Sequence, residues 1–139
     1  MALEVYINFN GNCREAVEFY SKAFNAPMEK IMTFGDMPPN PEYPTPESAK
    51  NLVMHTYLMI NGSRLMFSDT FPGMPFVEGN NIYITYTGNN EDEIKEIYSK
   101  LKEGGSVEME LQQTFWSKCY GMLTDKFGIH WQLSLESEM

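Results

Sequence analysis

Residues 15–22, EAVEFYSK, recur as residues 93–100, EIKEIYSK, with Glu15, Glu18, Tyr20, Ser21 and Lys22 matched by Glu93, Glu96, Tyr98, Ser99 and Lys100. Convergence of two amphipathic helices would explain that match alone. The flanking pattern repeats as well, because each copy follows a strand-like stretch and precedes extended segments that end in a hairpin. A duplicated βαβββ module is the economical reading. This constrains the fold strongly: one helix covers one face of a four-stranded sheet and leaves the other bare. Two modules can curve their bare faces toward one another and enclose a cleft.

Within the first copy, Leu3, Val5, Ile7 and Phe9 alternate with Glu4, Tyr6 and Asn8, the pattern of a half-buried strand. Asn12 is placed to cap a helix, with Glu15 completing a capping box. Ala16, Phe19, Tyr20, Ala23 and Phe24 form that helix's apolar stripe, and Asn25-Ala26-Pro27 ends it. Met28 to Phe34 reads as a second strand. Residues 35–51 hold five prolines and read as a loop without regular structure, either a lid or disordered. Leu52–Ile60 and Ser63–Asp69 flank Asn61-Gly62, a type I′ hairpin signal. That turn sets Met59 opposite Arg64, Tyr57 opposite Met66 and His55 opposite Ser68. Leu58, Ile60, Leu65 and Phe67 then face the helix.

Residues 70–81 read as a connector. In the second copy, strands are expected over Ile82–Thr87, Val107–Gln113, Lys118–Thr124 and Ile129–Leu135. Asn89 or Asn90 caps the helix that carries Ile94, Ile97, Tyr98 and Leu101, and Gly104-Gly105 ends it. Trp131 is expected in the helix-packing core, and Asp125 and Asp69 as structural acceptors. The acidic helix over 91–103 reads as a solvated face.

The 139 residues carry a formal charge of −9. An acidic surface repels phosphate backbones and anionic headgroups, so neither nucleic acid nor membrane is expected as a partner. Cys13 and Cys119 make no disulfide framework. The N-terminus has no signal-peptide pattern, and a reducing cytoplasm is the expected location.

Three stretches, NFNGNCREAVEFYSKAF, VMHTYLMINGSRLMFSD and QTFWSKCYGMLTDKFGIHWQL, resemble the vicinal-oxygen-chelate superfamily of glyoxalase I, bleomycin- and fosfomycin-resistance proteins and extradiol dioxygenases. They are closest to its PhnB-like branch. The resemblance covers nearly the whole chain apart from the Pro-rich loop and the connector. Ser117 departs from it, since the branch usually has Gly after Phe-Trp. The resemblance implies an α+β fold of two tandem βαβββ modules forming a curved mixed-sheet cleft, here module 1 over about 1–70 and module 2 over about 81–139 of a single domain. It also implies a homodimer. Some branch members are labelled ubiquinone methyltransferases, but this chain has no Gly-rich nucleotide loop to support methyl transfer.

Metal-using relatives hold one divalent ion through His, Glu or Gln at four strand positions. Carried onto this chain, these fall at Val5, at Met66, within Asn81–Tyr83 and at Gln132. A cation needs three or four oxygen or nitrogen donors at about 2.0–2.6 Å. Valine, methionine and amides do not supply them, so no metal and no cofactor is expected.

Two functions follow. The first is metal-free binding of a small aromatic or amphipathic molecule in a cleft lined by His55, Tyr57, Met59, Met66, Phe115, Trp116, His130 and Gln132. The second is a lyase, isomerase or transferase of the superfamily, using His55 and His130 as bases or metal ligands. A third role, dimerisation or regulation without a ligand, is compatible with the same residues. Cys119 is a candidate for the Gln132 face, with a small buried thiol as the plainer reading.

Overall fold

A computed structural model describes residues 2–136. The chain divides into two units, one up to Val77 and one from Glu78. In the first, β1 (Val5–Phe9), α1 (Cys13–Ala23), β2 (Met32–Thr33), β3 (Val53–Ile60) and β4 (Ser63–Asp69) follow in order. The second holds β5 (Ile84–Gly88), α2 (Glu91–Leu101), β6 (Ser106–Gln112), β7 (Tyr120–Thr124) and β8 (His130–Leu135). The sheet orders, β1-β4-β3-β2 and β5-β8-β7-β6, are the same permutation. In both units the first and last strands pair in parallel while the others pair antiparallel. The repeat is therefore structural, and the fold is α+β with two four-stranded mixed sheets.

The Asn61-Gly62 turn sets the expected register. Both residues have positive φ, 48° and 84°, as a type I′ turn requires. Met59 pairs with Arg64 and Tyr57 with Met66. Leu58, Leu65 and Phe67 are accordingly buried with Ile7, Phe9, Val17 and Tyr20. In the second unit Leu123, Trp131 and Leu133 pack with Ile94, Ile97 and Leu101, all buried.

Each unit is clasped internally by one buried carboxylate. Asp69 is 4% exposed. Its Oδ1 accepts the N–H groups of Gly11 and Cys13, and its Oδ2 accepts that of Val53. One side chain thus holds the start of α1, the start of β3 and the end of β4 together. Asp125 works locally: Oδ1 accepts from Phe127 and Ile129, and Oδ2 accepts from the Trp131 indole at 2.9 Å.

Three expectations need correction. Asn12 makes no side-chain cap to α1. Asp69, distant in sequence, takes the N-terminal amide instead, whereas Asn90 caps α2 as expected through Glu93 N–H. The second strand shrinks to Met32–Thr33, with a register shift between its two residues. Lys30 is held by the Thr56 hydroxyl rather than by the strand ladder, and a 3₁₀ turn over Phe34–Asp36 follows. Residues 35–51 are also not without structure. Gly35 N–H reaches Lys50 O, Phe34 N–H reaches Leu52 O, and a second 3₁₀ turn buries Ala49. The proline-rich segment is a loop stitched at its neck.

Candidate functional site

Each sheet gives one face to its helix and leaves the other open. In the first unit alternation places Tyr6 and Asn8 of β1, His55, Tyr57 and Met59 of β3, and Arg64, Met66 and Ser68 of β4 on the open face. His55, Tyr57 and Met66 are half-buried there and Met59 is exposed. Four of the expected ligand residues therefore share one surface. His55 Nδ1 lies 3.2 Å from the Tyr6 hydroxyl, with the rings tilted at 5.7 Å. No partner engages its Nε2 among the described residues. At the other end of the same strands, Arg64 forks onto Glu4 through Nε at 2.5 Å and Nη2 at 3.0 Å. The guanidinium holds the Glu4 carboxyl below its usual range.

The open face of the second unit carries Thr85, His130, Gln132, Tyr120, Met122 and Thr124. His130 and Gln132 share this face as expected. His130 Nδ1 is 2.7 Å from Thr124 Oγ1, and Nε2 is 3.2 Å from Gly79 O. The Thr124 hydroxyl donates to Glu108 Oε1 at 2.8 Å, and the Tyr83 hydroxyl donates to Glu108 Oε2. Those two bonds hold the Glu108 carboxyl below the usual carboxylate range, with His130 contributing less. The bond to Glu108, with burial, pushes the Tyr83 hydroxyl up. The proton count of this chain is informative. If Thr124 donates to Glu108 and Nε2–H donates to Gly79, Nδ1 must carry a proton too. All three bonds form together only around an imidazolium, and a neutral ring leaves one of them open.

Sequence does not point to Glu108 or Thr124, and it reaches Tyr83 only as the end of the Asn81–Tyr83 span. The signal was faint: β6 has register shifts on either side of Met109, and such irregularities re-aim side chains in a way that alternation does not reveal.

Phe115 and Trp116 lie between β6 and β7, 87% and 41% exposed. Their rings meet edge-on at 4.7 Å, and Trp116 meets Tyr120 at 5.1 Å. Through Tyr120, Trp116 adjoins the open face of the second sheet. Cys119 does not join the Gln132 face. Tyr120 pairs with Ser134, so Cys119 alternates to the helix side, where it is 3% exposed and burial pushes its thiol up. Ser117, the departure from the branch pattern, is buried. Its hydroxyl lies 2.9 Å from Leu135 O and 3.0 Å from Cys119 O, and it accepts the Cys119 N–H. A glycine there would leave those groups without that hydroxyl.

The β1 residue beside Met66 is Tyr6, not Val5, and the β5 residue beside Gln132 is Thr85, not one within 81–83. Thr85 Oγ1 bonds to Gln132 Oε1 at 3.3 Å. Neither pair, phenol with thioether in the first unit or hydroxyl with amide in the second, is by itself a divalent-cation site. Among the described residues no three His, Cys, Asp or Glu side chains converge to hold one. No helix among them is long and apolar enough to cross a membrane.

A crystal structure of protein PA1353 from Pseudomonas aeruginosa is 35% identical, with a TM-score of 0.83 over 97% of this chain and 98% of that one. Protein YjdN of Escherichia coli is 30% identical, over 97% of this chain and 95% of its own. The PhnB protein from Bacillus cereus, described as a putative 3-demethylubiquinone-9 3-methyltransferase, is 26% identical with a TM-score of 0.76, covering 97% of this chain and 99% of that one. The fold alone extends to the fosfomycin resistance protein FosX of Listeria monocytogenes, 12% identical with a TM-score of 0.67, covering 99% of this chain and 94% of that one. Residues 2–134 match the family described as 3-demethylubiquinone-9 3-methyltransferase. By that match, the chain belongs to this PhnB-like family.

Proposed function

We propose that this protein binds a small aromatic or amphipathic molecule on the open faces of its sheets, without a metal. The observation that carries the reading is His55. Its half-buried imidazole meets the Tyr6 hydroxyl and shares a face with Tyr57 and Met66, and its Nε2 is unengaged among the described residues. Aromatic and thioether surface beside a few directional polar groups suits such a ligand. Phe115, Trp116, His130 and Gln132 offer a second set of ring and polar contacts in the other unit. The protein works as a homodimer in a reducing cytoplasm, where Cys13 and Cys119, both buried and free, stay reduced. The methyl transfer in the family description is not extended to this chain: neither βα turn, Gly11-Asn12 nor Asn89-Asn90, is a glycine-rich nucleotide cradle.

The test is a thermal-shift screen with small aromatics and antibiotics, followed by calorimetry. A ligand at 100 times its Kd adds about 2.7 kcal/mol of stability. His55→Ala and His130→Ala should each weaken binding by about tenfold or more, the effect of losing about 1.4 kcal/mol. Unchanged affinity in both variants sinks the reading.

A second reading is favoured by the Glu108–Thr124–His130 chain. An imidazole tied through a hydroxyl to an ionised carboxylate is equipped to move a proton, so a superfamily lyase, isomerase or transferase would draw on His130. Turnover lost in both His130→Gln and Glu108→Gln with binding retained would select it over simple binding.

A further inference from the structure

We propose that the open face of the first unit takes a small amphipathic monocarboxylate, with its carboxylate on Arg64 and its body on Met59 and Tyr57. This deepens the binding function proposed above and rests on it. A recess of about 380 Å³ opens beside the β3–β4 hairpin, lined by Leu3, Glu4, Tyr57, Met59, Ser63 and Arg64 among others. That volume suits a ligand of modest size.

Hydrogen-bond geometry names the head group. A guanidinium presents five N–H donors in a planar fork. Glu4 takes one edge of Arg64, through Nε and one Nη2 hydrogen. The opposite edge, Nη1 with the remaining Nη2 hydrogen, has no partner among the described residues. Two parallel N–H groups spaced in this way match a carboxylate bidentately. The Arg64 carbon Cζ stands 5.9 Å from the Tyr57 ring centroid, so the fork is steadied from one side by an aromatic face.

The neighbours name the body. Met59 pairs with Arg64, and Tyr57 with Met66. Met59 is 44% exposed, and its flexible thioether adapts to aryl or short alkyl chains. From Met59, the strand runs four residues to His55, roughly 13 Å at about 3.4 Å per residue. A ligand anchored on Arg64 therefore runs along Met59 and Tyr57 toward the open nitrogen of His55. Glu4 already balances the guanidinium charge and leaves only one donor edge, so a second anion of single charge and two oxygens is opposed less than a doubly charged phosphate or dicarboxylate.

Calorimetry with 3-phenylpropanoate, 3-phenylpropanamide and 3-phenylpropylamine tests the idea on the full chain. The acid should bind and the amide and amine should bind at least tenfold more weakly. Arg64→Gln should weaken the acid tenfold or more, and Glu4→Gln should tighten it by removing the competing carboxylate. Arg64 and Glu4 are on the surface, and urea denaturation checks that both variants fold. Equal binding of acid and amide, or an acid affinity unmoved by Arg64→Gln, overturns the assignment. If ligands then still respond to His55→Ala, the broader binding function stands and only the head-group assignment falls. No binding of any of the three overturns the assignment directly.

Discussion

The two units share a strand order and differ in how they are clasped and what they expose. In the first, Asp69 gathers backbone N–H groups from Gly11, Cys13 and Val53, residues 16 to 58 positions away. In the second, Asp125 accepts from Phe127, Ile129 and Trp131, two to six positions away. The first helix takes its cap from across the unit and the second from its own Asn90. The open faces diverge at matching places. Register alignment sets Met66 against Gln132, Tyr6 against Thr85 and Arg64 against His130. The first face carries two methionines, Met59 and Met66, and a cation at one end, whereas the second carries Thr85, Gln132 and a proton chain at the same corner. The two copies share the sheet and differ in surface chemistry.

The clasps give the largest expected effects. Asp69→Asn should cost about 3 kcal/mol, because the amide cannot accept from Val53 and leaves a buried donor unpaired. Asp125→Asn faces the Trp131 indole with the same mismatch but organises only one turn, and about 2 kcal/mol is expected. Urea denaturation measures both, and hydrogen exchange should show the Asp69 loss at α1 and β3 together. Exchange confined to the β4 end would break the contrast between a long-range and a local clasp.

The caps come next. Asn90→Ala should cost about 1 kcal/mol and Asn12→Ala less than about 0.5 kcal/mol, since only Asn90 accepts a helix amide. Similar losses in the two variants would show that the first helix uses a local cap after all.

The smallest effect concerns the proton chain. Glu108 has its carboxyl lowered in the folded state, so it contributes stability above its ordinary value of 4.5. That contribution is lost as pH falls through the lowered value. The group is partly exposed, and solvent screening keeps the contribution to about 0.5 kcal/mol. Glu108→Gln should therefore flatten the acid limb of a stability–pH profile slightly. The matching Glu4→Gln change in the first unit should do likewise, through loss of its Arg64 bond.

Local chemistry made much of this protein legible from sequence. The Asn61-Gly62 turn has the two positive-φ positions of a type I′ hairpin, and that turn alone set the face of His55, Tyr57, Met59 and Met66. The repeated helix marked the duplication, and Asn90 and Asp125 act on residues a few positions away. What the tertiary structure decided depends on partners distant in the chain or on broken alternation. Asp69 displaced Asn12 because a carboxylate folded in from the end of β4 reaches the helix amide. Cys119 turned to the core, and Glu108 met His130, because strand register is set by neighbouring strands rather than by the residues themselves. The free edge of Arg64 exists because Glu4, sixty positions away, takes the other.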